Sequence, residues 1–460
     1  TRDADGTLVY KKIPAREFGP YDRIEKPEEI AYTGDKGYKL ADVYNKKIAM
    51  DEFIAQLSDE QLIMLFHAEG MCSPKVTAGT ACAFGGLAEE LRALGIPATC
   101  TTDGPSGLRM DCGTKAFSLP NGTLIGCTFD LELVQKLYEM TGYELRRNRV
   151  DSLLGPGMNI HRNPLNGRNF EYISEDPLVT GKMAAAQIKG LGIVGSTGTI
   201  KHFATNNQEH KRREVEAVVS VRALREIYLR GYEIAVREGH ARSVMTTYGP
   251  INGLWTASNY DLNTIVLRKD WGFTGIVMTD WWAAGSDENQ PSSVENRAGM
   301  VEAQNDMYMV TSDCTDLAQD NVKEALENGR ITRGMLQRNA RNILGFILQS
   351  PAMLYEMDMI SEEEIADAKS GDEDEIDYSN VRYYKPDENG DVIIPGEGWN
   401  TNQGQSVVVG IEVDLAEYDL EVVSRSPLDD LAQISITVFY DSILKMVLPL
   451  RGSNGKWMND

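Results

Sequence analysis

The chain has 460 residues, 42% of them hydrophobic, and a formal net charge of -23 at pH 7. This length and apolar content are enough for a large core and for about two or three domains. The negative charge argues against nucleic-acid partners and against attraction to anionic membranes, and no apolar run approaches the ~18 residues of a membrane span.

Cysteine usage gives no sign of a metal site or a disulfide framework. The six cysteines are scattered without C-x-x-C spacing, so we predict no metal and no cofactor. A reducing cytoplasm is therefore the expected location. The sequence begins at Thr1 and shows no signal-peptide pattern, which is typical of a processed or trimmed chain and leaves the true amino terminus open.

The chain divides by pattern into four segments. Residues 1–45 are polar and broken by Gly and Pro, which predicts a linker or wrapping segment. Over residues 46–350 short apolar runs alternate with amphipathic helices, which predicts an α/β fold, a TIM-type (β/α)8 barrel. Residues 351–395 are acidic and predict a linker or loop. Residues 396–460 contain short β-rich runs separated by turns, which predicts a small β-sandwich-like module, whole or partial.

The predicted barrel begins with a helix, since the sequence around Ser58 has the pattern of a capping box in front of an apolar run. Short apolar runs, many of them rich in β-branched residues, then predict the strands. The strand candidates are 98–102, 152–154, 199–203, 243–248, 276–279 and 306–310, and the helix candidates are 130–149, 177–191, 221–239, 260–270, 315–328 and 332–349.

An acidic residue follows one of the predicted strands at a position typical of active sites. Asp280 comes just past the carboxyl end of strand 276–279, the end of a barrel where active sites are built. The tryptophans that follow, Trp281 and Trp282, add flat apolar surface beside the carboxylate, which suits a sugar ring. The alternative is a helix N-cap aspartate followed by core aromatics.

Other strand ends carry further hydrogen-bonding groups. Each sugar hydroxyl offers a donor and acceptors, so a sugar pocket needs several carboxylate, amide, Lys or Arg partners. Groups of this kind after the predicted strands include Asp103, Arg109, Asn159, Arg168, Lys201, His202, Asn206, Glu209 and Tyr248. The sequence therefore predicts a sugar-binding pocket at this rim.

The segments after the strands together resemble a known family. Asp-Gly-Pro at 103–105, Gly-Arg-Asn-Phe-Glu at 167–171, Lys-His-Phe at 201–203 and Gly-Ile-Val-Met-Thr-Asp-Trp at 275–281 are similar to motifs of family-3 glycoside hydrolases of the β-glucosidase and β-xylosidase kind. Ser-Glu-Asp-Pro at 174–177 and Asn-Asn-Gln-Glu at 206–209 extend the resemblance. These motifs occur in the family's order across about residues 95–310.

The resemblance implies a retaining, exo-acting β-glycosidase, with β-glucosidase favoured. A strand-end aspartate attacks the anomeric carbon and a glutamic acid protonates the leaving oxygen. By motif match Asp280 is the nucleophile. The same comparison implies that the non-reducing sugar is held by Asp103, Arg109, Arg168, Lys201, His202, Arg212, Met245, Tyr248 and Trp281. Expected substrates are β-linked gluco-oligosaccharides and aryl or alkyl β-glucosides.

Several of these residues also have a structural alternative. Asp103 can accept two hydroxyl protons, or it can form an Asx-turn. Lys201 needs a partner if buried and can donate to hydroxyls. His202 can bind a hydroxyl or be a satisfied core residue. Tyr248 can orient the nucleophile, and Trp281 can stack on a sugar or fill the core.

The chain departs from some family patterns. Family N-acetylglucosaminidases follow Lys-His with a Pro-Gly-rich segment and an Asp and His that serve as proton donor, whereas this chain has Phe-Ala-Thr-Asn-Asn at 203–207, which points away from N-acetyl sugars. In most glucosidases of the family an α/β sandwich domain after the barrel supplies the acid/base glutamate. The sequence after about residue 350 does not resemble that domain.

Some family members are circularly permuted, and this chain resembles the later part of such a protein. We therefore expect the α/β sandwich and the acid/base glutamate on a separate polypeptide or amino-terminal part. Glu171, Glu175 and Glu209 stay open as alternatives, although bracing or a helix start is favoured for Glu171. A β-xylosidase, a non-catalytic sugar-binding protein and a homo-oligomer also stay open.

Overall fold

The computed structural model describes residues 4–5, 23–71, 73–111, 116–287, 290–359, 381–396, 399, 407–412, 423–424, 433–440, 443–451 and 458–459. The chain forms two compact units. The first contains Thr1–Asp111 and Lys115–Met359, and the second contains Cys112–Thr114 and Ile360–Asp460.

An eight-stranded sheet forms the centre of the first unit. Its strands are β1 (His67–Glu69), β2 (Cys82–Gly85), β3 (Ala98–Asp103), β4 (Ser152–Leu154), β5 (Thr197–Phe203), β6 (Ser243–Thr246), β9 (Ile276–Met278) and β10 (Tyr308–Thr311). A separate hairpin pairs β7 (Pro250–Ile251) with β8 (Leu254–Trp255). The order in the large sheet is β10-β1-β2-β3-β4-β5-β6-β9.

The two ends of the large sheet meet through backbone contacts. Met278 forms a parallel bridge with Met307, and the Thr279 N–H donates to the Met307 carbonyl at 3.1 Å. Since Met307 directly precedes β10, these contacts bring the last strands together and nearly close the sheet into a barrel. The prediction of a TIM-like barrel is therefore confirmed, and all six predicted strands are present.

The regular (β/α)8 alternation fails in the first part of the barrel. Two strands, β1 and β2, were not predicted, and β2 runs antiparallel to both β1 and β3. The helix α3 (Asp59–Phe66) runs directly into β1, so the short strand is hidden at the end of an apolar helical pattern. Antiparallel neighbours need no helical crossover, and the described residues between β1 and β2 contain no helix.

Helices surround the sheet. They are α1 (Leu40–Tyr44), α2 (Met50–Ala55), α3, α4 (Glu89–Arg92), α5 (Gly122–Gly126), α6 (Leu131–Arg147), α7 (Pro177–Ile193), α8 (Val221–Ala223), α9 (Arg230–Arg237), α10 (Ala298–Glu302), α11 (Val322–Glu327), α12 (Arg333–Ile347) and α13 (Pro351–Glu356). Leu224–Tyr228 and Asp261–Asp270 are π-helical, and Asn169–Glu171 and Thr256–Ser258 are 3₁₀-helical. In the part of the chain that the structure describes, no helix combines the length and apolarity needed to cross a membrane.

Local side-chain chemistry explains where two helices begin. Ser58 accepts from the Gln61 N–H and Gln61 accepts from the Ser58 N–H, so the predicted capping box is confirmed at α3. The helix predicted from residue 315 begins only at Val322. Asp313 and Asp316 accept backbone N–H groups two residues further on, and such turns compete with helix formation.

The described part of the predicted wrapping segment lies on the barrel's outer helices. The Ile30 N–H donates to Gln337 Oε1 at 2.9 Å, and Gln337 Nε2 donates back to the Ile30 carbonyl at 2.8 Å. Leu40 is fully buried in the main hydrophobic core. Residues 23–45 therefore pack on α12 and the core, whereas most of residues 1–22 lie outside the described residues.

The second unit is described only as pairs of strands. The strand β11 (Arg382–Tyr384) pairs in parallel with β12 (Val409–Ile411), and β13 (Val423–Ser424) pairs antiparallel with β16 (Met458–Asn459). The longest pair is antiparallel, β14 (Gln433–Tyr440) with β15 (Ile443–Arg451). The β-rich character agrees with the sequence, but the sandwich at 396–460 stays a prediction. The acidic stretch 361–377 lies outside the described residues.

Asp306 offers a test of how the barrel is held together. This buried carboxylate accepts from Arg268 Nη2 (2.5 Å), Asn342 Nδ2 (2.8 Å) and the Val277 N–H (2.8 Å). Asp306→Ala leaves the buried Arg268 guanidinium without its anion, so we expect unfolding to become easier by about 3–5 kcal/mol. Asp270→Ala, which removes a partly exposed pair with Arg225, is the control and should cost less than about 1 kcal/mol. Urea unfolding measures both, and equal losses would contradict this role for burial.

Candidate active site

The predicted site residues come from the carboxyl ends of neighbouring parallel strands. Asp103 ends β3, Lys201 and His202 lie near the end of β5, and Asp280 follows β9 by two residues. Tyr248 follows β6 by two residues. Because the carboxyl ends of parallel barrel strands open at one rim, these side chains converge there.

Asp280 is a nearly buried carboxylate, with 8% of its surface exposed. Its Oδ1 accepts the Trp281 N–H at 2.7 Å, and its Oδ2 lies 3.8 Å from His202 Nε2. Burial raises the pKa of Asp280 above its ordinary value, although the Trp281 N–H, the Arg168 charge and the Tyr248 hydroxyl act in the opposite direction. The helix N-cap alternative is wrong, since no helix begins at 281–287.

Asp103 and Lys201 form an ion pair at the same rim. Lys201 is 3% exposed, and its Nζ donates to Asp103 Oδ1 at 2.8 Å. The other carboxylate oxygen lies 3.8 Å from Arg109 Nη1. Burial raises the pKa of Asp103, but the charge and hydrogen bond of Lys201 outweigh it, so the pKa is lowered. The buried ammonium has the partner that its burial requires.

Two arginines of the predicted site are held by glutamates. Arg168 donates through Nε to Glu171, and its Nη1 lies 4.0 Å from Glu209 Oε1. Arg212 Nη1 donates to Glu209 Oε2 at 3.0 Å. The guanidinium of Arg212 also lies over the Tyr248 ring, 4.8 Å from its centroid. Glu171 is 5% exposed, in agreement with the bracing role favoured from the sequence.

The cations near Asp280 form their ion pairs with other carboxylates. Lys201 pairs with Asp103, Arg168 with Glu171, and Arg212 with Glu209. Within the described ranges, no Lys or Arg nitrogen lies within 4.0 Å of the Asp280 carboxylate. The nearby cations therefore act on Asp280 only through their longer-range fields, and its oxygens stay available to an electrophile.

His202 is buried and held from several sides. Its Nδ1 lies 3.2 Å from the Tyr172 hydroxyl, and its backbone is held by Asn159 and by the Tyr232 hydroxyl. Burial lowers the pKa of His202 well below its usual value, so the imidazole is neutral. Tyr172 and Tyr232 were not predicted from the sequence. Tyr172 follows the Arg-Asn-Phe-Glu motif directly, which was the available signal.

Met245 and Trp281 lie in the hydrophobic core beneath the rim. Their exposed fractions are 2% and 9%, and Trp281 Nε1 donates to the Ala81 carbonyl at 3.2 Å. The core-filling alternative thus accounts for the contacts of Trp281, and its stacking on a sugar stays a prediction. Trp282 is 49% exposed and is the accessible aromatic of the two.

One group of potential metal ligands lies near the start of the barrel. Among the described residues, ligand atoms of Glu69, Asp313 and Cys314 lie within 4.8 Å of one another. The Lys75 ammonium, however, donates to Glu69 Oε1 at 2.5 Å, and the Ser73 hydroxyl donates to Oε2 at 3.1 Å. An ammonium already balances this carboxylate, so the group does not fit a cation.

The opposite pKa shifts of two rim carboxylates predict opposite effects on stability. Since burial raises the pKa of Asp280, its ionisation opposes folding as pH rises above the unfolded value of about 3.9. Asp280→Asn should therefore raise Tm at pH 7, and the gain should vanish below about pH 3.9. The lowered pKa of Asp103 stabilises the fold above the unfolded value, so Asp103→Asn should lower Tm at pH 7. Calorimetry over this pH range tests the pair, and shifts of the same sign would contradict the charge arrangement.

Comparison with known proteins agrees with the motifs. A β-glucosidase of Ruminococcus albus is 52% identical over 433 residues, 94% of this chain and 45% of that protein. The structure of a β-glucosidase from Paenibacillus barengoltzii matches with a TM-score of 0.74 and 44% identity, covering 100% of this chain and 49% of that one. β-Glucosidase 3B from Thermotoga neapolitana, in complex with glucose, matches with a TM-score of 0.60 and 34% identity, covering 70% of this chain and 46% of that one.

The chain thus spans less than half the length of these relatives. The model of the glycosyl hydrolase family 3 N-terminal domain matches residues 34–346, more than half of the chain. The matched range contains every residue of the predicted site, and the prediction of the family is confirmed. The chain belongs to glycosyl hydrolase family 3.

Proposed function

We propose that this chain carries the glycone site and the nucleophile of a retaining, exo-acting β-glucosidase. The observation that carries the proposal is the state of Asp280. It is a buried rim carboxylate, oriented by a backbone N–H and free of direct Lys or Arg contact among the described residues. The other carboxylates of this rim, Asp103, Glu171 and Glu209, each have a cationic partner within 4.0 Å.

The surrounding groups suit a neutral, hydroxyl-rich ligand. Asp103 keeps 37% of its side chain exposed although both of its oxygens face cations, so it can still accept hydroxyl protons. The ammonium of Lys201 has further hydrogens to donate beside it. Arg109 extends the polar wall, with 57% of its side chain exposed. We propose that these three groups bind the non-reducing sugar together with Arg168, Arg212, His202, Tyr248, Met245 and Trp281.

The proposed chemistry is a double displacement at the anomeric carbon. Ionised Asp280 attacks as the glycosidic bond breaks and the acid/base glutamic acid protonates the leaving oxygen, and a covalent glycosyl-aspartate forms with inversion. Water then attacks the same carbon and gives its proton to that glutamate, the bond to Asp280 breaks, and the second inversion restores the β configuration. Burial favours this role because a poorly solvated carboxylate is a stronger nucleophile, and the field of Arg168 and Lys201 keeps it ionisable.

The acid/base glutamate is proposed to come from outside this chain, on a separate polypeptide or part of the whole protein. The longer relatives have room for such a part. Within the chain, Glu171 and Glu209 are both engaged by arginines, and Glu175 is exposed. Circular permutation, with the α/β sandwich encoded first, is the arrangement that we propose for the whole protein.

Glucosides are the proposed substrates, both gluco-oligosaccharides and aryl or alkyl β-glucosides. The names of the β-glucosidase relatives support this choice over xylosides. The test uses the full-length protein with 4-nitrophenyl β-glucoside and β-xyloside, and proton NMR of the first sugar released. We expect a higher kcat/KM for the glucoside and release of the β anomer. First release of the α anomer would contradict the retaining mechanism, and a preference for the xyloside would favour the β-xylosidase alternative.

Substitution of the proposed nucleophile should remove activity without unfolding the protein. We expect Asp280→Asn to lower kcat at least about 1000-fold, because the neutral amide cannot form the glycosyl ester. Asp270→Asn, at a partly exposed pair with Arg225 outside the predicted site, is the matched control and should keep full activity. Activity retained by Asp280→Asn would leave the sugar-binding protein or another nucleophile as the better account.

Leaving-group dependence tests whether the acid lies in this chain. A dinitrophenyl leaving group needs little protonation, whereas an alkoxide needs a general acid. Loss of the acid should therefore abolish hydrolysis of alkyl glucosides and spare the dinitrophenyl glucoside. We expect Glu171→Gln and Glu209→Gln, in the full-length protein, to change the two activities in parallel. A selective loss of alkyl glucoside hydrolysis in either variant would identify that residue as the acid.

A further inference from the structure

A chain of buried hydrogen bonds leads from the arginine-bound glutamate to the face of His202. Glu209 Oε1 accepts from Asn206 Nδ2 at 2.8 Å, and the same Nδ2 donates to the Tyr172 hydroxyl at 2.8 Å. The Tyr172 hydroxyl lies 3.2 Å from His202 Nδ1, and His202 Nε2 faces Asp280. The donor and acceptor of each hydrogen bond in this series follow from the chemistry of the groups at its two ends, Glu209 and His202.

Glu209 determines which group donates in the first hydrogen bond of the series, the one with Asn206. An ionised carboxylate only accepts hydrogen bonds, and Arg212 donates to it at 3.0 Å. The amide group of Asn206 must therefore turn its NH₂ towards Glu209, because the reverse orientation would place its carbonyl oxygen against a carboxylate that cannot donate. The second hydrogen of this NH₂ is the one that reaches Tyr172.

The Tyr172 hydroxyl accepts from Asn206 and donates to His202. Its phenol is fully buried, and burial raises its pKa, so the hydroxyl keeps its proton. Its oxygen already accepts from Asn206, and its single hydrogen is left to point at His202 Nδ1. A neutral imidazole carries one proton, so Nδ1 accepts and the proton lies on Nε2.

The groups around the ring agree with this protonation. Arg168, Lys201 and Arg212 surround His202 with positive charge and disfavour the imidazolium, in addition to burial. Among the described residues, the carboxylate within 4.0 Å of the ring is that of Asp280, which lies on the Nε2 side and favours a proton there. Tyr232 and Asn159 contact only the backbone of His202 and do not bias its ring nitrogens.

We propose that the Glu209–Asn206–Tyr172 chain fixes His202 as the Nε2–H tautomer, and that Tyr172 is thereby a positioning residue for the N–H beside Asp280. The tautomer itself follows from the hydrogen bonds alone, whereas its use in catalysis rests on the proposed function. The distance of 3.8 Å from Nε2 to Asp280 Oδ2 is longer than a hydrogen bond. The N–H is thus free for a ligand oxygen, and His202 recognises an acceptor rather than a donor.

The test is nitrogen NMR of the full-length protein labelled with ¹⁵N-histidine, with the His202 signals assigned by a His202→Gln variant. We expect the wild-type ring to carry its proton on Nε2. The Tyr172 hydrogen bond exists only while Nδ1 is unprotonated, so it stabilises the neutral ring. Tyr172→Phe should therefore raise the pKa of His202, move its titration to higher pH and shift the acid limb of kcat/KM in the same direction.

Tyr232→Phe is the matched control for the nitrogen spectra, since it removes an equally buried hydroxyl that donates to the His202 carbonyl and not to its ring. It should leave the tautomer and the titration as in the wild type. For Tyr172→Phe we also expect kcat/KM to fall about tenfold, the equivalent of one hydrogen bond.

A wild-type ring with its proton on Nδ1 would overturn the proposal, as would a Tyr172→Phe titration identical to that of the wild type. If Tyr172→Phe does not fold, the wild-type spectrum decides alone, with Nε2–H supporting the proposal and Nδ1–H overturning it. The spectra need no turnover. A failure of glucoside hydrolysis would therefore count against the proposed function and leave the tautomer result standing.

Discussion

The site depends on how charge is shared at the rim of the barrel. Asp280 is buried among cations, yet each of them has another carboxylate as its near partner: Asp103, Glu171 or Glu209. A direct ion pair would stabilise ionised Asp280 and block its oxygens, whereas the absence of any positive field would raise its pKa further. The charges around Asp280 lie between these two cases, since cations are near it but none pairs with it directly among the described residues. The pKa of Asp280 is raised, and its contacts are with neutral groups, the Trp281 N–H, the Tyr248 hydroxyl and the His202 ring.

The barrel makes this distribution of ion pairs possible because the three carboxylates that pair with the cations lie at or after the ends of three different strands, β3, β4 and β5. Lys201 on β5 reaches Asp103 on β3 across the intervening β4, so the pair ties three strands together at the rim. Glu171 and Glu209 belong to the loops after β4 and β5, and each accepts from an arginine of its own loop, Arg168 or Arg212. Buried hydrogen bonds and ion pairs elsewhere in the barrel, such as those of Asp306, stabilise the fold. The protein can therefore tolerate the free-energy cost of burying the ionised Asp280 at the rim.

Most of the rim could be predicted from the sequence because its residues follow recognisable strands. The strands β3, β4, β5, β6, β9 and β10 are apolar runs with turns around them, and Asp103, Lys201 and Asp280 mark their ends. The strands β1 and β2 could not be predicted from the sequence, since runs of three or four residues near a helix are too short to show the alternating hydrophobic pattern of a strand. The burial of Trp281 relative to Trp282, and the direction of the hydrogen bonds through Tyr172, depend on tertiary packing that no local pattern encodes. At the end of the chain the sequence predicted short β-rich runs, but not β16 and not how the strands pair.

The central claim is that Asp280 forms the covalent bond to the sugar. A 2-deoxy-2-fluoro β-glucoside with an activated leaving group slows hydrolysis of the glycosyl-enzyme, so the intermediate can be trapped on the full-length protein and its peptides measured by mass spectrometry. The account predicts one added fluoroglucosyl group, on the peptide that contains Asp280 and on that side chain. A label on any other residue, or none on an enzyme that hydrolyses glucosides, would contradict it.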